Sequence, residues 1–236
     1  MFLSKYVLFS NMGISEIQRS ANLNNANATN WDFASQPDNI LFSEKSCMCC
    51  VGFIDMVDST RITAGLTKSQ MSKYYSLFIN WVNGIIRGYG GKVVKNTGDG
   101  LLFYFTSLGD SSIKTVRNCL NSAITLSILH GNVNKKFISE SLPELNYRIS
   151  LDYGEVSFAQ TVDSTTLDIF STTVNLCVKI NKVAEPNKVI IGGDLYRIAK
   201  NLSDYDFHEV KETISISNRA YPLYTVSEAK IIDEYS

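Results

Sequence analysis

The feature that most constrains this chain is a nine-residue apolar run, Met48 to Met56 (MCCVGFIDM), whose only charge is Asp55 at its far end. A run of that length predicts a central strand of a sheet that carries a carboxylate to its edge. It is far short of the ~20 residues that span a bilayer, and the other apolar runs, such as Leu101 to Phe105, are strand-sized as well.

Regular elements follow it. Thr67-Lys68-Ser69-Gln70 has capping-box spacing and opens a helix in which Met71, Tyr74, Tyr75, Phe78, Trp81, Val82, Ile85 and Ile86 recur at three and four; Gly88, Gly90 and Gly91 stop it. Lys92–Thr97 and Leu101–Phe105 flank Gly98-Asp99-Gly100, a hairpin signal. A second helix is expected from Ser112 to His130, then strand, turn at Gly154-Glu155 and strand within Tyr147–Thr161. A helix over Thr172–Ala184, a strand at Lys188–Ile191, a short helix at Gly193–Leu202 and two strands near Asp206–Val210 and Tyr221–Val226 complete the series. Strand–helix–hairpin–helix–strand is the order of an α+β, ferredoxin-like sandwich: a mostly antiparallel sheet with flanking helices.

The first 46 residues read differently. Ser20–Asn30 (SANLNNANATN) has no apolar period and predicts a linker, with a short helix before it over Tyr6–Ile17. The expected organisation is an extension over 1–46, the main domain over 47–228 and a tail over 229–236. Twenty-two Lys and Arg against 23 Asp and Glu leave a net charge of -1, which gives no field for nucleic acid. Met1–Ser10 lacks the core and cleavage site of a signal peptide. Five cysteines at uneven spacing fit a reducing compartment, so a cytoplasmic protein without a membrane partner is expected. Cys47, Cys49 and Cys50 lack a second cysteine pair, and His130 and His208 are distant; they read as small apolar residues entering a buried strand.

Asp55 closes a strand and Asp99 sits in the hairpin turn, so a ferredoxin-like sheet would bring them face to face. Paired carboxylates on strand ends supply the hard oxygens that Mg²⁺ or Mn²⁺ requires. Each alone reads equally as a turn or capping residue. Asp58-Ser59-Thr60 before a helical stretch offers hydroxyls and N–H groups for a polyphosphate, and also plain N-caps.

Three segments together resemble the class III nucleotidyl cyclases. Phe53-Ile54-Asp55-Met56-Val57-Asp58-Ser59-Thr60 is similar to their opening motif. Gly90-Gly91-Lys92-Val93-Val94-Lys95-Asn96-Thr97-Gly98-Asp99-Gly100 is similar to their hairpin motif, and Asp168-Ile169-Phe170-Ser171-Thr172-Thr173-Val174-Asn175-Leu176 to their helix entry. The resemblance covers roughly 50 to 226 and implies roles position by position. Asp55, Asp99 and the backbone carbonyl of Met56 would hold two divalent cations, Mg²⁺ or Mn²⁺. Ser59 and Thr60, by their own place before a helix rather than by the resemblance, would contact the substrate's phosphates. Lys95 and Asp168 match the pair that reads the purine in adenylate cyclases, where guanylate cyclases place Glu and Cys. Adenine offers an acceptor at N1 for Lys and a donor at N6 for Asp; guanine would present N1–H to the ammonium and leave polar groups mispaired. Without the family, Lys95 reads as a solvated charge. Asn175 would orient the nucleotide.

The chain departs from the pattern at Lys179, where an Arg is usual; charge is kept but the planar fork is lost. Ser171 replaces a usual Gly, and the terminal-phosphate lysine has no clear counterpart, Lys211 and Arg219 being the available cations. The resemblance also implies a homodimer with two interface sites. The expected activity is adenylate cyclase, ATP to cyclic AMP and pyrophosphate. The alternatives are a cyclase for GTP or a pyrimidine triphosphate, and an inactive nucleotide-binding or dimerisation module.

Overall fold

A computed structural model describes residues 40–96, 98–106, 112–161, 167–216 and 218–229. The expected helix over Tyr6–Ile17, the linker over Ser20–Asn30 and the tail beyond 229 lie outside the described residues. The elements, in chain order, are β1 (Ile40–Met56), α1 (Ser59–Ala64), α2 (Lys68–Gly88), β2 (Lys92–Asn96), β3 (Gly100–Thr106), α3 (Ser112–Ile128), α4 (His130–Ser139) and β4 (Tyr147–Thr161). They continue with β5 (Leu167–Phe170), α5 (Thr172–Asn181), β6 (Val189–Gly192), α6 (Gly193–Ala199), β7 (Tyr205–Glu209), β8 (Ile214–Ile216), β9 (Arg219–Tyr221) and β10 (Leu223–Glu228).

The larger of two compact units comprises Cys47–Val156 and Ser171–Ser236. Its sheet runs β2-β3-β1-β4-β6-β10-β7, with β4 and β6 parallel and the β2–β3, β1–β3, β6–β10 and β10–β7 pairs antiparallel. The α+β sandwich read from the sequence is thus the architecture found. Thr67 caps α2 reciprocally with Gln70, as its spacing requires. Tyr74, Phe78, Val82 and Ile86 form the buried stripe of α2 and pack with Cys50, Ile54, Phe103 and Phe105 of the sheet and Val116, Leu120 and Ala123 of α3. From α5, Cys177 Sγ donates to Val51 O (3.2 Å) and Asn181 Nδ2 to Phe53 O (3.1 Å), which ties the helix to β1.

Several elements differ from expectation. The strand expected from Met48 begins at Ile40. Gly154-Glu155 makes no turn: β4 is continuous, and Gly154 makes room for α5, since a Cβ there would stand 2.2 Å from Thr173 Oγ1. The second helix ends at Ile128, and α4, β5 and the β8–β9 hairpin are additional. No helix among the described residues is long and apolar enough to cross a membrane.

Among the described residues, the smaller unit comprises 40–46 and those within Ser157–Phe170. Within it β5 pairs antiparallel with the end of β4, Ala159 opposite Asp168, and the rings of Phe42 and Phe170 meet at 5.1 Å.

Candidate active site

Strand register assembles the carboxylate pair. Asp55, one residue from the end of β1, lies opposite Gly100, the first residue of β3, so the turn residue Asp99 arrives beside it. The contact is fixed by the backbone, where Met56 N–H donates to Asp99 O at 3.1 Å. Asp58 follows in the left-handed region (φ 54), turning the chain into α1 without capping it through its side chain. Its carboxylate pairs instead with exposed Arg61 at 2.9 Å.

Both aspartates are half-buried. Asp55 is pushed up to about 6, first by burial and then by the charge of Asp99, with which it also shares a hydrogen bond; the Arg148 guanidinium opposes the rise. Two carboxylates that repel each other in a partly desolvated pocket are suited to a hard cation. Among the described residues no cluster of three His, Cys, Asp or Glu side chains accompanies them. Further oxygens would therefore come from backbone, such as the Met56 carbonyl, and from bound phosphate.

The other expected site residues fall in varied settings. Ser59 is buried and its hydroxyl donates to Asp99 Oδ2, so it braces a carboxylate, whereas Thr60 is exposed. Lys95 lies on β2 opposite Leu102, just past an irregularity in the β2–β3 register, and its side chain is outside the described set. Asp168 is half-buried on β5 in the smaller unit, and its Oδ1 accepts from Ile169 N–H at 2.9 Å. On α5, Asn175 and Lys179 are both exposed and, four residues apart, share one helix face. Ser171 serves as the N-cap of α5, its hydroxyl accepting from Val174 N–H at 3.0 Å. Lys211 and Arg219 are exposed near the β8–β9 hairpin.

Two groups were invisible to sequence reasoning. Arg148, on β4, is the cation acting on Asp55, and its Nε is buried with no hydrogen-bond partner among the described residues. Asp152 is fully buried and pushed up to about 6 by that burial, although Tyr221 Oη (2.8 Å) and the N–H groups of Tyr153 (2.9 Å) and Leu195 (3.2 Å) all donate to it. An Asp within an alternating strand pattern gives no sign of its burial.

The sequence model of the adenylate and guanylate cyclase catalytic domain matches residues 41–225. The chain belongs to this cyclase family. A cytidylate cyclase of Staphylococcus aureus is 27% identical over 153 residues, covering 62% of this chain and 36% of its own. An adenylate cyclase of Streptomyces coelicolor is 26% identical over 141 residues, covering 60% of this chain and 31% of its own. The chain thus spans about a third of the length of the curated relatives it matches. Among solved structures, the adenylyl cyclase CyaB from P. aeruginosa superposes with a TM-score of 0.71 at 17% identity, covering 79% of this chain and 96% of that one. The guanylyl cyclase Cya2 superposes at 0.70 and 16% identity, covering 80% and 96%. These likenesses establish a cyclase fold, and their substrates differ.

Proposed function

We propose that this cyclase domain converts ATP to 3′,5′-cyclic AMP and pyrophosphate at sites shared between two copies of the chain. The observation that carries the reading is the Asp55–Asp99 pair, which the β1–β3 register joins and which is poised for a cation. Asp55, Asp99 and the Met56 carbonyl would hold two divalent ions, Mg²⁺ or Mn²⁺, whose Lewis acidity favours loss of the ribose 3′-hydroxyl proton and offsets phosphate charge. The 3′ oxygen bonds to the α-phosphorus, the bond to the bridging oxygen of the β-phosphate breaks, and pyrophosphate leaves. Ser59 keeps Asp99 oriented, and Thr60 stands next to it for phosphate contact. Lys95 donates to N1 of the base and Asp168 accepts from its N6 amino group. Asn175 orients the ribose, and Lys179, one turn along the same face, sets positive charge against the transferring phosphate. The family resemblance assigns these groups to opposite subunits, which makes the homodimer the active form.

A second reading is favoured by the cytidylate cyclase among the relatives. Cytosine presents an acceptor at N3 and an amino donor at N4, the same order as N1 and N6 of adenine. A Lys–Asp pair therefore separates amino bases from keto bases, and pocket depth separates ATP from CTP. Each of the four ribonucleoside triphosphates, supplied with Mg²⁺ or Mn²⁺ and its products identified by mass, tests both readings. Cyclic AMP is expected. Cyclic CMP instead would transfer the site to the pyrimidine reading with Lys95 and Asp168 keeping their roles. Cyclic GMP or cyclic UMP as the main product would overturn those roles.

A further inference from the structure

The larger unit opens on a sulfur pair that the cyclase chemistry does not use. Cys47 and Cys49 stand two residues apart on β1, on one face of the strand, with their Sγ atoms 3.3 Å apart. Cys47 is half-buried and Cys49 fully buried. The register places Cys49 opposite Thr106, Val51 opposite Tyr104, and Tyr104 opposite Lys92, so the Lys92 ammonium and the Tyr104 phenol lie on the thiols' face. The Cys47 thiol is held below its ordinary range, chiefly by its hydrogen bond with the Cys49 sulfur and also because Lys92 is near; burial pulls the other way. The same contact and burial push Cys49 up, and the two thiols raise Tyr104, already raised by burial, to about 12. One sulfur is thus half-buried and the easier of the two to ionise, and the other lies buried behind it and is harder to ionise.

We propose that Cys47 and Cys49 form a redox-active dithiol that a hydroperoxide converts to an intrachain disulfide. The Cys47 thiolate attacks the peroxide, the O–O bond breaks, and the departing oxygen takes up a proton to leave as water or an alcohol. This makes a sulfenic acid at Cys47. Two of the influences that raise Cys49, its hydrogen bond to the Cys47 sulfur and that sulfur's negative charge, are then gone. Cys49 sulfur attacks the sulfenyl sulfur, the S–O bond breaks, and the hydroxyl leaves as water with the Cys49 proton. The two thiols lose two electrons in all, and the peroxide gains them.

Geometry sets the character of the bond. Residues two apart in an extended strand have Cα atoms ~6.6 Å apart, near the upper end of what a disulfide spans, and the sulfurs must close to about 2.05 Å. The strand must shorten locally, so the bond is strained and readily reduced. It would form on the strand that carries Asp55. Cys50, Cys119 and Cys177 are fully buried, and burial pushes the Cys50 and Cys177 thiols well up, which leaves them unreactive.

The test exposes the reduced full chain to a small molar excess of hydrogen peroxide and follows intact mass and mapped peptides, with dimedone added to trap sulfenic acid. The expected result is a loss of about 2 Da confined to the peptide carrying Cys47 and Cys49, and reversed by dithiothreitol. Cys49→Ser should stop at a dimedone-trapped sulfenic acid on Cys47. Cys47→Ser and Cys47→Ala, the latter keeping the position apolar, should show neither product. Dimedone adducts dominating the native protein, a disulfide between chains or involving another cysteine, or intact thiols under peroxide would each overturn the proposal.

Discussion

Replacing Asp55 by Asn should stabilise the metal-free protein while abolishing its chemistry. The side chain keeps its shape, but the charge repelled by Asp99 and disfavoured by burial disappears. Raising an aspartate from 3.8 to about 6 makes its ionisation in the folded state cost about 3 kcal/mol, at ~1.4 kcal/mol per tenfold. Asp55 is only half-buried, and solvent screening reduces this to about 1–1.5 kcal/mol. A carboxyl raised on folding favours the native state most below its ordinary value, and that advantage is lost as pH climbs through about 6. The stabilisation by Asn should therefore be complete near pH 7.5 and fall below half near pH 4. For a chain of this size it corresponds to a Tm rise of about 2–6 °C. The assay is thermal melting in EDTA at both pH values, repeated with Mn²⁺, which should stabilise the native protein and leave Asp55→Asn unmoved. A Tm that falls, or rises equally at both pH values, would refute the electrostatic account. A variant that still gains from Mn²⁺ would refute Asp55 as a ligand.

Lys179→Ala should lower kcat by about 100-fold and Lys179→Arg should retain it, since an Arg restores charge and adds a fork for phosphate; equal rates in all three forms would make Lys179 a solvated helix residue. Asp55→Ala and Asn175→Ala chains, each inactive alone, should recover about a quarter of native activity after mixing, because half the dimers are then mixed and each has one intact site. Absence of recovery in dimers shown by native mass spectrometry to have exchanged would remove the shared site. Gly52→Ala should cost about 2–3 kcal/mol in urea unfolding, since its Cβ would stand 2.1 Å from Phe103 Cζ and 2.8 Å from Leu151 Cδ2. A variant as stable as the native chain would mean that the β1–β3 core is looser than its packing indicates.

Local signals were readable wherever they were self-contained. The capping box at Thr67 and Gln70, the apolar stripe of α2 and the Gly-Asp-Gly hairpin each depend on residues a few positions apart, and each is present. The turn expected at Gly154 failed for the opposite reason. Glycine permits a turn, but here it makes room for Thr173, a residue of another element that no local pattern reveals. The contact of the Ser59 hydroxyl with Asp99 was equally out of reach of a local pattern, which offered a cap or a phosphate contact. The four-residue β5 and ten-residue α4 are too short for an apolar period to stand out from loops.

The sequence by itself determined which groups stand at the edge of the sheet: a carboxylate ending an apolar strand, another in a tight turn, and motifs whose order marks a cyclase domain. Only the tertiary structure decided that Asp55 is half-buried where it feels the charge of Asp99, that Arg148 moderates Asp55, that Asp152 is buried against Tyr221, and that Cys47 and Cys49 touch while Lys92 flanks them. Residue type and spacing set what a segment can become, through hydrogen bonding and apolar period. Charge interaction and burial depend on distances between segments far apart in the chain, and those distances exist only once the strands have paired.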